Sequence, residues 1–148
     1  MEIETYPLKV IPDARGRIYH FMRKDMPQFE NFDVQEVYFS LIYPGAVKAW
    51  HRHKRMTLNY VVPVGNIKLV CVDQNNDLHK FFLGENCPHQ MVRIPPMVWN
   101  GFMAVDGKPA LVANITDVIH DPNEIERCDP AHFERTEFCY NWLEDTLG

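Results

Sequence analysis

Two histidines one residue apart, His51 and His53, stand inside GAVKAWHRHKRM, with Lys48, Arg52, Lys54 and Arg55 around them. Imidazole is the side chain whose proton comes and goes near neutral pH, and it is also a common metal ligand. The segment therefore admits four readings: a metal site, an acid–base site, a phosphate-binding patch, or an ordinary strand. Extended backbone sends successive side chains to opposite faces, so a strand here points both imidazoles one way and Arg52 the other. If that face lines a barrel, the pair points into a cavity of the kind barrels offer to a small ligand.

The elements that must position the pair read as strands. Segments with β-branched and aromatic content recur without the three-and-four spacing of a long helix: KVI, GRIYHFM, VQEVYFSLI, TLNYVVPV, NIKLVCVD, LHKFFLG, HQMVRI, VWNGFMA and ALVANITDV. Turn-forming stretches such as PDARG, YPG, DQNND and VDGKP break them. Nine short strands predict an all-β sandwich or barrel. Only the end, from about Pro122 to Leu147, has the acidic and aromatic mix of a short helix or two.

With 148 residues and 46% hydrophobic content, the chain is expected to form one domain over 1–148. Its 15 basic against 20 acidic residues argue against broad nucleic-acid binding, although HRHKR is a local cluster that suits a small anion. No apolar run approaches the roughly 20 residues that span a bilayer, and MEIETYPLKV has neither a basic start nor an apolar signal core. A cytoplasmic protein without a membrane partner is expected. The cysteines, Cys71, Cys87, Cys128 and Cys139, show no C-x-x-C spacing and read as free thiols.

The G-x5-H-x-H pattern, followed by Gly65 after the next strand, resembles the first motif of the cupins. In those small β-barrels the H-x-H, a later Glu and a His from a second motif bind a metal. Here the Glu position falls near Leu58 and the second motif on Pro95, Met97 and Asn100, so both later ligands are missing. Even catalytic zinc usually keeps three protein ligands, and neither a metal nor another cofactor is expected.

A narrower resemblance covers nearly the whole chain. Asp13-x-Arg15-Gly16, Gln35, Ser40, Gly45, GAVKAWH, IPPMVWNGF and Asp129-Pro130 are similar to the dTDP-4-dehydrorhamnose 3,5-epimerase family of metal-free cupins. The resemblance implies a jelly-roll barrel or sandwich, His51 as catalytic base and Asp129 as the carboxylate that orients it. It places Lys48 where the family has Arg, His20 near its usual Glu, and Asn100 where a family histidine meets the diphosphate. Arg15, Gln35 and Tyr60 join these as expected substrate-binding residues. The family's catalytic Tyr falls on Ala113 and its active-site Lys on or near Leu58, so an acid on the opposite face of the sugar needs a substitute. Tyr38, Tyr43 and Tyr60 are the candidates, and Tyr38 is taken as catalytic together with His53.

The chemistry stands independently. A proton on carbon beside a ketone becomes removable when a positioned base takes it while cations or donors hold the enolate oxygen. Neutral histidine suits the first task, a carboxylate on its far nitrogen fixes the tautomer, and Lys48, Arg15 or His53 could face the oxyanion.

A second group competes. The G-H-A-H-K and V-Y-Y motifs of the dTDP-4-keto-6-deoxyglucose 3,4-ketoisomerases are similar to His51-Arg52-His53-Lys54 and Val37-Tyr38-Phe39. The expectation is an epimerase of carbohydrate biosynthesis acting on a nucleotide-diphosphate sugar, with a dTDP sugar the implied partner. The 3,4-ketoisomerase and a non-catalytic sugar-nucleotide binder are the alternatives. The resemblance also implies a homodimer paired through edge strands, with YPLKVI able to cross to a partner. Without it, Asp129-Pro130 is an ordinary turn or helix start, Arg15-Gly16 a turn, and the tyrosines need no chemistry. Arg52, Lys54 and Arg55 read equally well as a solvated face, and Tyr140 and Trp142 as packing.

Overall fold

The computed structural model describes residues 2–130 and 140–144. Among the described residues twelve strands follow one another: β1 (Glu4–Pro7), β2 (Val10–Asp13), β3 (Gly16–Tyr19), β4 (Glu36–Ile42), β5 (Val47–His53) and β6 (Leu58–Val64). Then come β7 (Asn66–Val72), β8 (Leu78–Gly84), β9 (Gln90–Ile94), β10 (Trp99–Ala104), β11 (Ala110–Thr116) and β12 (Ile125–Arg127). One sheet has the order β1-β9-β6-β11-β4, the second β12-β5-β10-β7-β8, and β2-β3 form a separate hairpin. Neighbours in a sheet that lie far apart in sequence, all paired antiparallel, are the mark of a cupin-type jelly roll. All nine predicted segments lie on strands.

Three strands go beyond that reading. The opening motif is itself extended, as β5, and β1 and β12 are added at opposite ends of the chain. The N-terminal segment expected to cross to a partner pairs with its own chain, β1 against β9 from Glu4↔Arg93 to Pro7↔Gln90, and leaves β1 at the edge of its sheet. In the C-terminal region the described residues hold a 3-10 turn, Pro122–Glu124, ahead of β12. Asp121 caps that turn, its side chain accepting from the Asn123 amide at 3.0 Å. The rest of the helical expectation, with Cys139, falls on 131–139 and 145–148, outside the described residues. No helix among the described residues is long and apolar enough to cross a membrane.

A period of two builds the interior. Leu58, Tyr60 and Val62 from β6 meet Ile67, Leu69 and Cys71 from β7 between the sheets. The alternate residues Val70 and Val72 turn to the other face, where they pack with Trp50, Met103 and Trp142. Lys68 shares that outer face and is fully buried. Its ammonium donates to the carbonyl oxygens of Trp142, at 3.0 Å, and Glu144, and lies 5.0 and 5.7 Å from the ring centroids of Tyr140 and Trp142. This cation ties segment 140–144 onto the second sheet.

Close approach of β10 to β5 depends on Gly101, where a Cβ would lie 2.3 Å from the Cβ of Ala49. The register slips at that point, from Asn100↔His51 to Phe102↔Lys48, and the Ala49–Trp50 peptide is cis. Such a bulge re-aims the side chains beyond it, and on β5 these include the histidine pair. On the edge strand β4 one face is apolar and exposed: Val37, Phe39 and Leu41 are 53%, 64% and 47% accessible.

Candidate active site

The other face of β4 looks inward. Glu36, Tyr38 and Ser40 form one wall of a cavity of about 850 Å³ that opens between the two sheets. Tyr60 of β6 and Asn114 of β11 continue this wall, and Lys48, His51 and His53 of β5 form the opposite one. Arg127 of β12, with His120 and Asp129, completes the lining on that side. A cavity of this size can enclose much of a ligand of several hundred daltons.

The two imidazoles meet edge to face, with ring centroids 5.6 Å apart. Their surroundings differ. His51 has the Tyr60 hydroxyl 3.4 Å from its Nε2. Burial, then the neighbouring His53 and Arg127, lowers the His51 pKa to about 3, so this ring is neutral at physiological pH and keeps a nitrogen lone pair free to accept a proton. His53 bonds through Nδ1 to the carboxylate of Glu124, and both groups are buried. The other Glu124 oxygen accepts the amides of Arg55 and Met56 at 3.0 and 3.3 Å. Burial alone would raise the Glu124 carboxyl; the His53 bond and the two amides outweigh it and hold the pKa below the usual value.

Tyr38 faces the histidines from the other sheet. Its hydroxyl accepts from Asn114 Nδ2 at 2.8 Å, Asn114 Oδ1 accepts the Asn59 amide at 2.8 Å, and Asn59 Oδ1 accepts from Arg93 Nε at 2.7 Å. Burial raises the Tyr38 phenol against the opposing Asn114 bond, and raises Tyr60 further. Both phenols remain protonated and can donate. At the rim, Lys48 Nζ reaches across to Ser40 Oγ at 2.7 Å and the Leu41 carbonyl at 2.8 Å.

The site thus sets a neutral imidazole and a second imidazole across a cavity from two phenols, with cations at its edge. The family described as WxcM-like, C-terminal (FdtA) matches residues 1–136. The chain belongs to this family. A probable low-salt glycan biosynthesis epimerase, Agl13 of Haloferax volcanii, is 34% identical over 127 residues, 81% of this chain and 80% of the relative. A solved dTDP sugar isomerase from Desulfovibrio desulfuricans G20 is 41% identical, with a TM-score of 0.79 over 86% of this chain and 83% of that one. The sugar 3,4-ketoisomerase QdtA of Thermoanaerobacterium thermosaccharolyticum, solved in complex with TDP, shares the fold at 18% identity, with a TM-score of 0.70 over 90% and 93% of the two chains. As a member of the WxcM-like family with such relatives, the chain is an isomerase-class enzyme.

Of the residues named from sequence, His51, His53, Tyr38, Tyr60, Lys48 and Asp129 stand on the cavity wall of this WxcM-like chain. Four lie elsewhere. Arg15 is exposed in the β2-β3 hairpin, bonded to Asp13, and Gln35 bonds to Asp33. His20 gives its carbonyl to His89 Nε2 at 2.6 Å. Asn100 is buried and donates to the carbonyls of His51 and Val98, so it braces β5 from behind. Tyr43 is exposed, while Ala113 and Leu58 are buried apolar positions. Arg52 stacks over Trp99 and bonds Glu126, and Arg55 bonds Asp121, so these cations fasten the segment around β12. No group of three or more His, Cys, Asp or Glu side chains able to hold a metal occurs among the described residues.

Glu124, Asn114, Arg127 and His120 were missed. Glu124 is the instructive omission, since it lies 71 residues from the histidine it holds. Its setting in PNEIER looks like a solvated acidic turn. The available signal was the demand of His53 for an acceptor.

Proposed function

We propose that the chain is a 3,4-ketoisomerase acting on a dTDP-linked 4-keto-6-deoxy sugar. The observation that carries this reading is the pair of imidazoles on one wall, 5.6 Å apart, where both can serve the same side of a sugar ring. His51, neutral, takes the proton from carbon 3. The electrons form a double bond between carbons 3 and 4, and the oxygen on carbon 4 takes a proton from His53, whose charge Glu124 balances. In the second half His51 returns its proton to carbon 4. The oxygen on carbon 3 gives its proton to His53 and becomes the ketone. Both rings end as they began, and no oxidant or reductant enters.

Tyr38 and Tyr60 donate to the enediol oxygens, while Lys48 and Arg127 at the rim suit a diphosphate. The 41% identity to a dTDP sugar isomerase supports an isomerisation of a dTDP sugar. A second reading, epimerisation at carbon 3, is supported by the 34% identical epimerase and by Tyr38, which faces His51 from the opposite sheet and could return the proton from the other side. Proton NMR of the keto-sugar nucleotide in heavy water separates them. A ketone moved to carbon 3 supports the isomerase, and exchange at carbon 3 with the ketone still at carbon 4 makes the chain an epimerase. Binding without exchange makes it a non-catalytic binder. We further propose a cytoplasmic homodimer.

A further inference from the structure

We infer that Glu124 is the positioning residue of the second imidazole, fixing the tautomer of His53 so that its Nε2 is the nitrogen that exchanges protons in the cavity. Three groups surround the carboxylate: the amides of Arg55 and Met56, which donate, and the His53 ring at Nδ1, which must donate because a carboxylate only accepts. A carboxylate accepts at every lone pair, whereas a glutamine amide would turn an N–H₂ toward at least one of these donors. Glutamate therefore satisfies all three groups where its closest isostere would not.

The same residue also holds backbone. The Glu124 carbonyl accepts the Lys54 amide at 2.9 Å, and the His53 carbonyl accepts the Met97 amide at 2.7 Å. The chain from His53 to Met56 is thus clipped to the turn before β12 by one side chain and its own carbonyl. Glu124 is 2% exposed, and a buried charge is costly unless it is matched by a partner. Its match is a ring on the cavity wall. With Nδ1 bound to the carboxylate, Nε2 is the position left for transferable protons, the role that the isomerase reading gives to His53 and on which this inference rests.

The test uses the full chain, with His53→Asn, Glu124→Gln and the double variant. Nitrogen-15 NMR of the histidine rings, without substrate, should find a proton on His53 Nδ1 in the wild type that Glu124→Gln loses or shares with Nε2. Turnover should fall on the order of 100-fold in Glu124→Gln while TDP affinity by calorimetry stays within about 3-fold. In the His53→Asn background the same change should cost less than about 3-fold, because a residue acting through His53 has nothing left to act on. Equal losses in the two backgrounds would make Glu124 a purely structural brace and overturn the inference. So would a wild-type spectrum with Nδ1 bare, which decides the matter even if Glu124→Gln does not fold. If no keto-sugar nucleotide turns over, the isomerase reading fails while the ring spectrum still judges Glu124.

Discussion

His51 carries a cost that can be measured without any substrate. Its pKa is lowered to about 3 in the folded chain, against about 6.5 for an unperturbed histidine. Between these values the unfolded chain binds a proton that the folded chain refuses, so stability falls as pH drops through the window and is unaffected above it. The slope approaches about 1.4 kcal/mol per pH unit. His51→Asn removes this titration, and its urea midpoint should fall less between about pH 6.5 and 4.5 than that of the wild type. Equal slopes would mean that His51 is not buried as described. The same variant should lose turnover by at least about 10²-fold and keep TDP affinity within a few-fold, as expected of a group that acts only in the transition state. Retained turnover would move the base to His53. Much of this was legible in the sequence, because H-x-H in an extended segment dictates a shared face. The partner of His53 was not, since no local rule connects it to a carboxylate 71 residues away.

At the scale of elements, alternation and turn residues located nine strands because each has its own local signal. The strands with a weak signal were bounded poorly, as at β1, or missed, as at β12. β1 contains Pro7, and β12 is three residues long, so their pairing depends on neighbours rather than on propensity. VWNGF marks a close contact between β10 and β5, where Asn100 donates to the His51 carbonyl and Gly101 abuts Ala49. Gly101→Ala tests that contact. Its methyl would collide with Ala49 at the bulge before His51, and overpacking of this kind costs about 1–3 kcal/mol. Urea unfolding should register the loss. Turnover per folded molecule should drop as well, because the displaced strand carries His51 and His53. Unchanged stability would mean that the strands can separate freely there.

Across the whole molecule, the row Val37, Phe39 and Leu41 is an exposed apolar face on an edge strand. Such a face suits a second copy of the same strand related by a two-fold axis. Light scattering should give about twice 17.4 kDa, and Phe39→Lys should shift the mass toward the monomer. A monomer mass for the wild type over a wide concentration range would end this reading. The edge position of β12 has a consequence in time. Protein synthesis delivers the His51 strand early and its β12 partner some seventy residues later, as the pairing His51↔Arg127 requires. At typical elongation rates of about 5–20 residues per second, the nascent chain spends seconds with the edge of β5 unpaired and His53 without its carboxylate. Chains that stall on the ribosome before Glu124 would therefore present an open β template, which makes the last strand of the cavity its safeguard against aggregation during translation.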